Sequence, residues 1–267
     1  MKDLIINRLA RAELGYGQEK AFICGQGQNG ILWKEAGVLA LLRRTGSGDE
    51  LKSYAFVLNK RSAHVPQPGD LCFPGGHPHP WADRFMASVL LPLVLPLRKN
   101  PGFREAARRD PVTRNAIRFF LANALRESWE EMRLSPSKVE FLGALPAHRM
   151  ATRTRIIYPA VGLISPDAAV RTGREIEKNV LLPLPELFRP ENYGTYSLAL
   201  TGKFAAAFGA SSVDVPCFLV REPNGGSEIL WGATLKIIME FLSVVFDFTP
   251  PAGGPVRANA VLYPASA

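Results

Sequence analysis

A stretch of about twenty residues in mid-chain, Thr113 to Met132, places apolar side chains at the helical period and closes on Arg126-Glu127-Ser128-Trp129-Glu130-Glu131. Ile117, Phe120, Leu121, Ala124, Leu125 and Ser128 fall on one side, which predicts a long amphipathic helix with that side turned inward. At i, i+3 and i+4, Glu127, Glu130 and Glu131 share one face of its last turns. Three carboxylates so close repel one another and destabilise a bare helix. A divalent cation that prefers oxygen ligands turns the repulsion into binding. A solvated acidic face is the plainer reading of such a run, so the surrounding residues must decide.

They read as an α/β chain: strands, helix, strands, helix. Residues 2–14 form a short amphipathic helix in the pattern. Val38–Arg43 and Tyr54–Asn59 are apolar runs on either side of Gly46-Ser47-Gly48-Asp49-Glu50, two strands joined by a hairpin loop. A loop rich in Pro and Gly spans 63–80, and residues 84–112 look like an insertion. Beyond the long helix, Val139–Leu145, Ile156–Ile164, Ile176–Leu182 and Cys217–Val220 read as strands. Glu186–Arg189 reads as a short turn or helix, and Ala233–Val245 as a closing helix. The domain boundaries expected are 1–36 for the helix and lead-in, 37–248 for the main domain, and 249–267 for a loosely ordered tail rich in Pro, Gly and Ala.

Upstream of the acidic turn lies Phe73-Pro74-Gly75-Gly76, where the missing side chains let a backbone carbonyl approach a ligand. With Arg126-Glu127-x-x-Glu130-Glu131-x-x-Leu134 it resembles the Nudix box, G-x5-E-x7-R-E-U-x-E-E-x-G-U. Leu58-Asn59-Lys60-Arg61-Ser62 followed by Gly69-x-x-x-Phe73-Pro74-Gly75-Gly76 resembles the signature of the coenzyme A pyrophosphatase branch. Glu175-Ile176 leading to Leu182-Pro183-Leu184, and Trp231-Gly232-Ala233-Thr234, are similar to that branch's V-P-L and W-G-A-T segments. The resemblance runs from about Gly37 to Phe246, leaving out the insertion.

It implies a Nudix-type α/β/α sandwich with a mixed sheet and a helical or loop insertion inside the box. It also implies hydrolysis of a nucleoside diphosphate linked to another group, with Mg²⁺ or Mn²⁺. By position, Glu131 first, then Glu130, Glu127 and the Gly75 carbonyl, would gather the metal. Arg126 would orient a carboxylate, and Glu127 or Glu175 would take the proton of the attacking water. Arg61, Ser62, His64 and Gly76 would lie against substrate. The first substrate implied is coenzyme A or an acyl-CoA, cut to 3′,5′-ADP and a phosphopantetheine product. ADP-ribose or another nucleoside diphosphate derivative is the alternative, and a Nudix-like nucleotide binder without catalysis is the second.

The departures from the pattern are specific. Ala82 stands where the box has its first acid counted from Gly76, and Asp83 is the expected substitute. The segment from Asp83 to Arg126 is about 35 residues too long, which is tolerable for a loop because closure entropy grows only logarithmically. Arg133 replaces the glycine that ends the helix in a left-handed cap. Pro66 stands where the branch signature expects an arginine.

The formal charge of +8 favours anionic partners, but no run of five or more Lys/Arg marks a nucleic-acid arm. Val89–Leu97, the most apolar run, is too short to span a bilayer and holds Pro92 and Pro96. Cys24, Cys72 and Cys217 are far apart and odd in number, which fits reduced, buried thiols in a cytoplasmic protein. Gly25-Gln26-Gly27-Gln28-Asn29-Gly30 matches a dinucleotide-binding pattern without the helix that should follow it, and reads as a flexible turn. His77-Pro78-His79 lacks a third metal ligand and reads as a surface loop. For the insertion two readings stay open. Val89–Leu97 with Arg98, Lys99, Arg104, Arg108 and Arg109 is either a lid, apolar on one side and basic on the other, or an extra helix pair packed on the domain or at a homodimer interface.

Overall fold

The computed structural model describes residues 1–91, 101–150, 154–200, 210–251 and 253–261. Its centre is β1 (Lys34–Arg44), which runs parallel to β7 (Arg155–Ile164) along nearly its whole length. On its other edge β1 pairs antiparallel with β2 (Tyr54–Arg61) at one end, and with the two-residue β4 (Gly75–Gly76) further along. β2 also carries β3 (Leu71–Cys72) and β8 (Ile176–Pro183), while β7 carries β5 (Val139–Ala144) and β6 (His148–Met150). The mixed sheet expected from the sequence is therefore present.

Both faces of this sheet are apolar, as a strand covered on two sides requires. Leu39 and Leu41 of β1 enter one core cluster and Ala40 and Leu42 the other, following the two-residue side-chain period. One face is covered by α1 (Lys2–Arg11) and by the closing helix Gly232–Phe246. The other is covered by Pro111–Met132. The layers are helix, sheet, helix, so the sandwich expected from the sequence is the one observed. A second sheet, β9 (Tyr193–Ala199), β10 (Ser212–Arg221), β11 (Ser227–Trp231) and β12 (Val256–Val261), adds Tyr193, Phe218, Val220 and Leu230 to the first cluster.

Three sequence expectations change, and the open readings of the insertion narrow. Gly25–Gly30 is not a free turn, because helix α2 (Tyr16–Gln28) runs into it. Its glycines oppose a helix, but neighbours hold it. Phe22 meets Trp33 edge-on at 5.0 Å, Arg149 lies 3.6 Å over the Phe22 ring, and Lys20 pairs with Glu35 at 2.6 Å. Part of the expected loose tail is β12, which pairs parallel with β9. The insertion begins at the end of α3 (Pro80–Phe85) and holds a π turn (Met86–Leu90) and α4 (Pro101–Ala107). α4 buries Phe103 and Ala106, and Arg109 donates to the carbonyls of Leu9 and Ala10, so this half packs on the domain, as in the second of the two readings. The central part of the expected lid, 92–100, lies outside the described residues. Of the cysteines, Cys217 is buried but Cys24 is exposed.

Candidate active site

The long helix, α5 (Pro111–Met132), begins where local chemistry fixes it. Asp110 caps it, accepting from the Thr113 amide at 3.0 Å, and Pro111 occupies the first turn, where no amide partner is needed. Ala116, Ile117, Phe120, Leu121, Ala124, Leu125, Ser128 and Met132 are buried along its inner face. The Phe120 ring stacks on Tyr158 with centroids 3.9 Å apart. The helix stops at Arg133, which adopts the left-handed conformation at φ 53°, the geometry a glycine would take there. Arg171 donates its amide to the Met132 carbonyl at 2.9 Å, tying the β7–β8 loop to this end. The carboxylates of the last turns therefore sit on a fixed platform.

Arg126 is the hub. Its Nε donates to Asp83 Oδ1 at 2.8 Å, Nη2 to Glu127 Oε1 at 2.7 Å, and Nη1 to Glu130 Oε2 at 2.9 Å. Nη2 also reaches the His77 carbonyl at 3.3 Å. Asp83, fully buried, accepts on its other oxygen from the His79 amide at 2.7 Å. The substitute acid expected at position 83 thus lies against the arginine despite the intervening insertion. Glu127 and Glu130 are each held through one oxygen.

The Gly75-Gly76 bend meets this turn directly. A Cβ on Gly76 would stand 2.8 Å from the Glu127 carboxyl. Gly75, at φ +154°, leaves no room either, since a Cβ there would come within 2.4 Å of the Gly37 carbonyl oxygen. Asn123, buried inside α5, receives the Gly37 amide at 2.8 Å and donates to the His77 carbonyl at 3.2 Å, locking bend to helix.

Glu131 faces the other way, toward β2. Burial pushes its carboxyl up to about 8, the nearby Glu127 charge adds to this, and a backbone hydrogen bond at Gly75 opposes it; Glu175 raises it further and Arg61 lowers it. Burial also raises Glu127, against the pull of Arg126. The fully buried Asn59 donates to Glu131 Oε2 at 3.4 Å and itself receives Asn179 Nδ2 at 2.9 Å.

Among the remaining predicted residues, Ser62 is buried. Its hydroxyl donates to the Arg174 carbonyl at 2.9 Å and its amide to the Glu175 carbonyl, so it joins two loops. Arg61 Nε donates to the Pro66 carbonyl at 2.7 Å. His64 is exposed, its amide 3.4 Å from the Ser62 hydroxyl, and among the described residues no hydrogen bond or ion pair takes it to the acidic turn. Trp231 packs edge-on to Tyr196, as a packing residue should, and also donates Nε1 to Asp70 at 3.0 Å. Sequence reasoning gave no role to Asn59, Asn123 or Asn179. Asn59 ends an apolar strand run and Asn123 interrupts an apolar helix stripe; a buried amide in such a place needs partners, which is the signal they carried.

Among the described residues no three His, Cys, Asp or Glu side chains already converge as a metal cluster. The donor set nevertheless suits a hard divalent ion. Glu131 and Glu127 are partly buried like charges, Glu175 adds to them, and Arg126 engages one oxygen each of Glu127 and Glu130, leaving the second. A cation there would offset the Glu127 and Glu175 charges, which add to the effect of burial in raising Glu131.

An arginine-clasped acidic helix end against a Gly-Gly bend, in a helix–sheet–helix sandwich, is the arrangement anticipated from Nudix hydrolases, and curated proteins similar to this chain carry that description. One is an uncharacterised Nudix hydrolase, NudL, from Enterobacter sp. (strain 638), 31% identical over 125 residues, covering 42% of this chain and 64% of that protein. Another is the peroxisomal coenzyme A diphosphatase NUDT7 of Mus musculus, 22% identical over 186 residues, covering 69% of this chain and 60% of that protein. The matched stretch is under two thirds of either relative's own length. Among solved structures, a MutT/nudix family protein from Enterococcus faecalis superposes with a TM-score of 0.41 at 15% identity, covering 87% of this chain and 72% of that one. No protein-family model matches the chain. The resemblance read from the sequence motifs is borne out by the names of the bacterial and mouse relatives. No helix among the described residues is long and apolar enough to cross a membrane.

Proposed function

We propose that this chain is a metal-dependent pyrophosphohydrolase acting on a nucleoside diphosphate derivative, with coenzyme A or an acyl-CoA as its first substrate. The observation that carries the reading is the Arg126 clasp on Asp83, Glu127 and Glu130 at the end of α5, with Gly76 against the Glu127 carboxyl and Glu131 on the same turn beside Asn59. Glu131, Glu127 and Glu130, with the Gly75 carbonyl, would hold Mg²⁺ or Mn²⁺, which when bound offsets phosphate charge and acidifies a water. Arg126 fixes the directions of Glu127 and Glu130, and Asp83 fixes Arg126. Glu127 or Glu175 accepts the proton of the attacking water. Arg61, with Ser62 bracing its loop, lends positive charge to the same end. The name of the mouse relative, a coenzyme A diphosphatase, supports the substrate, and the Leu58–Ser62 and Gly69–Gly76 segments are where the likeness to that branch is densest.

The test is incubation of the purified protein with Mg²⁺ or Mn²⁺ and coenzyme A, an acyl-CoA, ADP-ribose, NADH or a dinucleoside polyphosphate, with identification of the products. Release of 3′,5′-ADP from coenzyme A, lost in Glu131→Gln, is the expected result. No phosphoanhydride cleavage in the whole panel would overturn the reading.

A further inference from the structure

An open cavity of about 880 Å³ lies beside the acidic end, between α2, the start of β1, the turn after Gly75-Gly76, α3 and the first half of α5. The insertion and α2, two elements that the sequence motifs leave unexplained, make much of its wall. Its charge is opposite to that of the acidic turn. Lys20, Lys34, Arg84 and Arg118 line it against one carboxylate, Glu35. Lys20 is neutralised by Glu35 at 2.6 Å, and Arg118 lies 5.3 Å over the Phe103 ring. Lys34 and Arg84 are exposed and have no ion-pair partner among the described residues. Two cations at a cavity mouth without counter-charge attract a multivalent anion.

Much of the remaining wall is apolar, with His77, Ser88 and Asn115 as its other polar members. Trp33 and Phe119 offer aromatic surface, with Val112 and Ala116 beside them. The Trp33 indole N–H is buried with no acceptor among the described residues. A pocket with apolar and aromatic walls and a few cations takes an organic anion better than a bare inorganic one.

Its position joins it to the acidic site. Val112, Ala116, Phe119, Asn123, Arg126 and Glu130 follow one another at intervals of three or four along α5, so cavity and hub share a helix face. His77 lines the cavity while its carbonyl accepts from both Asn123 and Arg126. From Phe119 to Glu127 the helix rises roughly 12 Å, which an extended nucleotide spans. We propose that this cavity is a second binding site, for a phosphate-bearing organic anion, and that it seats the remote phosphorylated end of the substrate. Its role as a substrate subsite rests on the hydrolase reading; its ligand chemistry does not. Binding energy gathered there serves to position the diphosphate at the acidic turn.

The experiment is a calorimetric titration of the full chain with adenosine 3′,5′-bisphosphate in chelator, so that no metal contributes. The wild type is expected to bind. Lys34→Ala/Arg84→Ala is expected to weaken binding at least tenfold, while Glu131→Gln changes it less than twofold. Lys52→Ala, an exposed lysine elsewhere, is expected to change it less than twofold. Absence of binding, a double variant within twofold of wild type, or an equal loss in Lys52→Ala would overturn the proposal. If the affinity pattern holds but no phosphoanhydride is cleaved, the hydrolase reading fails and the site stands. If cleavage is normal and the affinities do not respond, the reverse follows.

Discussion

Arg126 donates to Asp83 at 2.8 Å although 43 positions separate them in the chain. The chain leaves the sheet after the Gly75-Gly76 bend and returns on α5, and α3, at the start of that excursion, delivers a fully buried carboxylate to the guanidinium. Removing one partner of such a pair strands the other's charge in a poorly solvated place. Asp83→Ala is expected to destabilise the fold by roughly 3 kcal/mol, less if Glu127 and Glu130 recapture Arg126. Urea unfolding at neutral pH measures it; a loss under about 0.5 kcal/mol would show that the pair is not structural.

Gly75 and Gly76 are neighbours but should fail differently. A Cβ at Gly75 meets backbone, the Gly37 carbonyl, and takes a left-handed φ as well. Gly75→Ala is expected to cost folding, about 2 kcal/mol or more. A Cβ at Gly76 meets only the far end of the Glu127 side chain, which can rotate away. Gly76→Ala is expected to stay folded within about 1 kcal/mol while hydrolysis falls at least tenfold. Melting curves and turnover of the two variants, taken together, check the contrast.

The Glu131 carboxyl makes a pH prediction whose sign is unusual for an acid. Its folded-state value, about 8, lies above the ordinary 4.5, so the folded chain keeps a proton that the unfolded chain releases. Without metal, stability should fall as pH rises from about 4.5 to about 8, then level off. Glu131→Gln lacks this slope. It is expected to match wild type near pH 4.5 and exceed it at pH 8.5 by about 1–3 kcal/mol in chelator. Added Mn²⁺ should then stabilise the wild type and leave the variant behind, since only the folded, ionised site gains from binding. Thermal unfolding at the two pH values, with and without Mn²⁺, decides it; a variant no more stable than wild type at high pH would refute the raised carboxyl.

What the sequence made legible was what a short period can encode. The inner face of α5, the apolar runs of β1, β2 and β7, and the spacing of Glu127, Glu130 and Glu131 all follow from residues within a turn or two of each other. Asp83 could be guessed only from a motif and needed the fold to be placed. α2 was illegible because its glycines argue against a helix, and its support comes from Trp33, Glu35 and Arg149, remote in kind or in sequence. β12 was illegible for a like reason: a Pro- and Gly-rich tail has weak strand propensity, and its order comes from the partner strand β9. Asn59, Asn123 and Asn179 act through buried hydrogen bonds that no local period announces.

Arg133 offers a test of the cap itself. It holds φ 53° at the end of α5, its amide bonded to the Trp129 carbonyl at 3.0 Å, with the Leu134 amide reaching the Ser128 carbonyl. An L side chain in that region carries a steric penalty that glycine lacks, while glycine's greater freedom in the unfolded chain subtracts part of the gain. The side chain is exposed and makes no hydrogen bond or ion pair among the described residues, so removing it forfeits little. Arg133→Gly is therefore expected to stabilise the protein by about 0.5–1 kcal/mol. Hydrolysis should stay within twofold of wild type, because the cap fixes where the helix ends and leaves the carboxylates one turn earlier in place. Denaturant midpoints at constant slope measure the first effect and product release the second. A destabilised Gly variant would mean that the Arg133 side chain has a partner that the fold conceals.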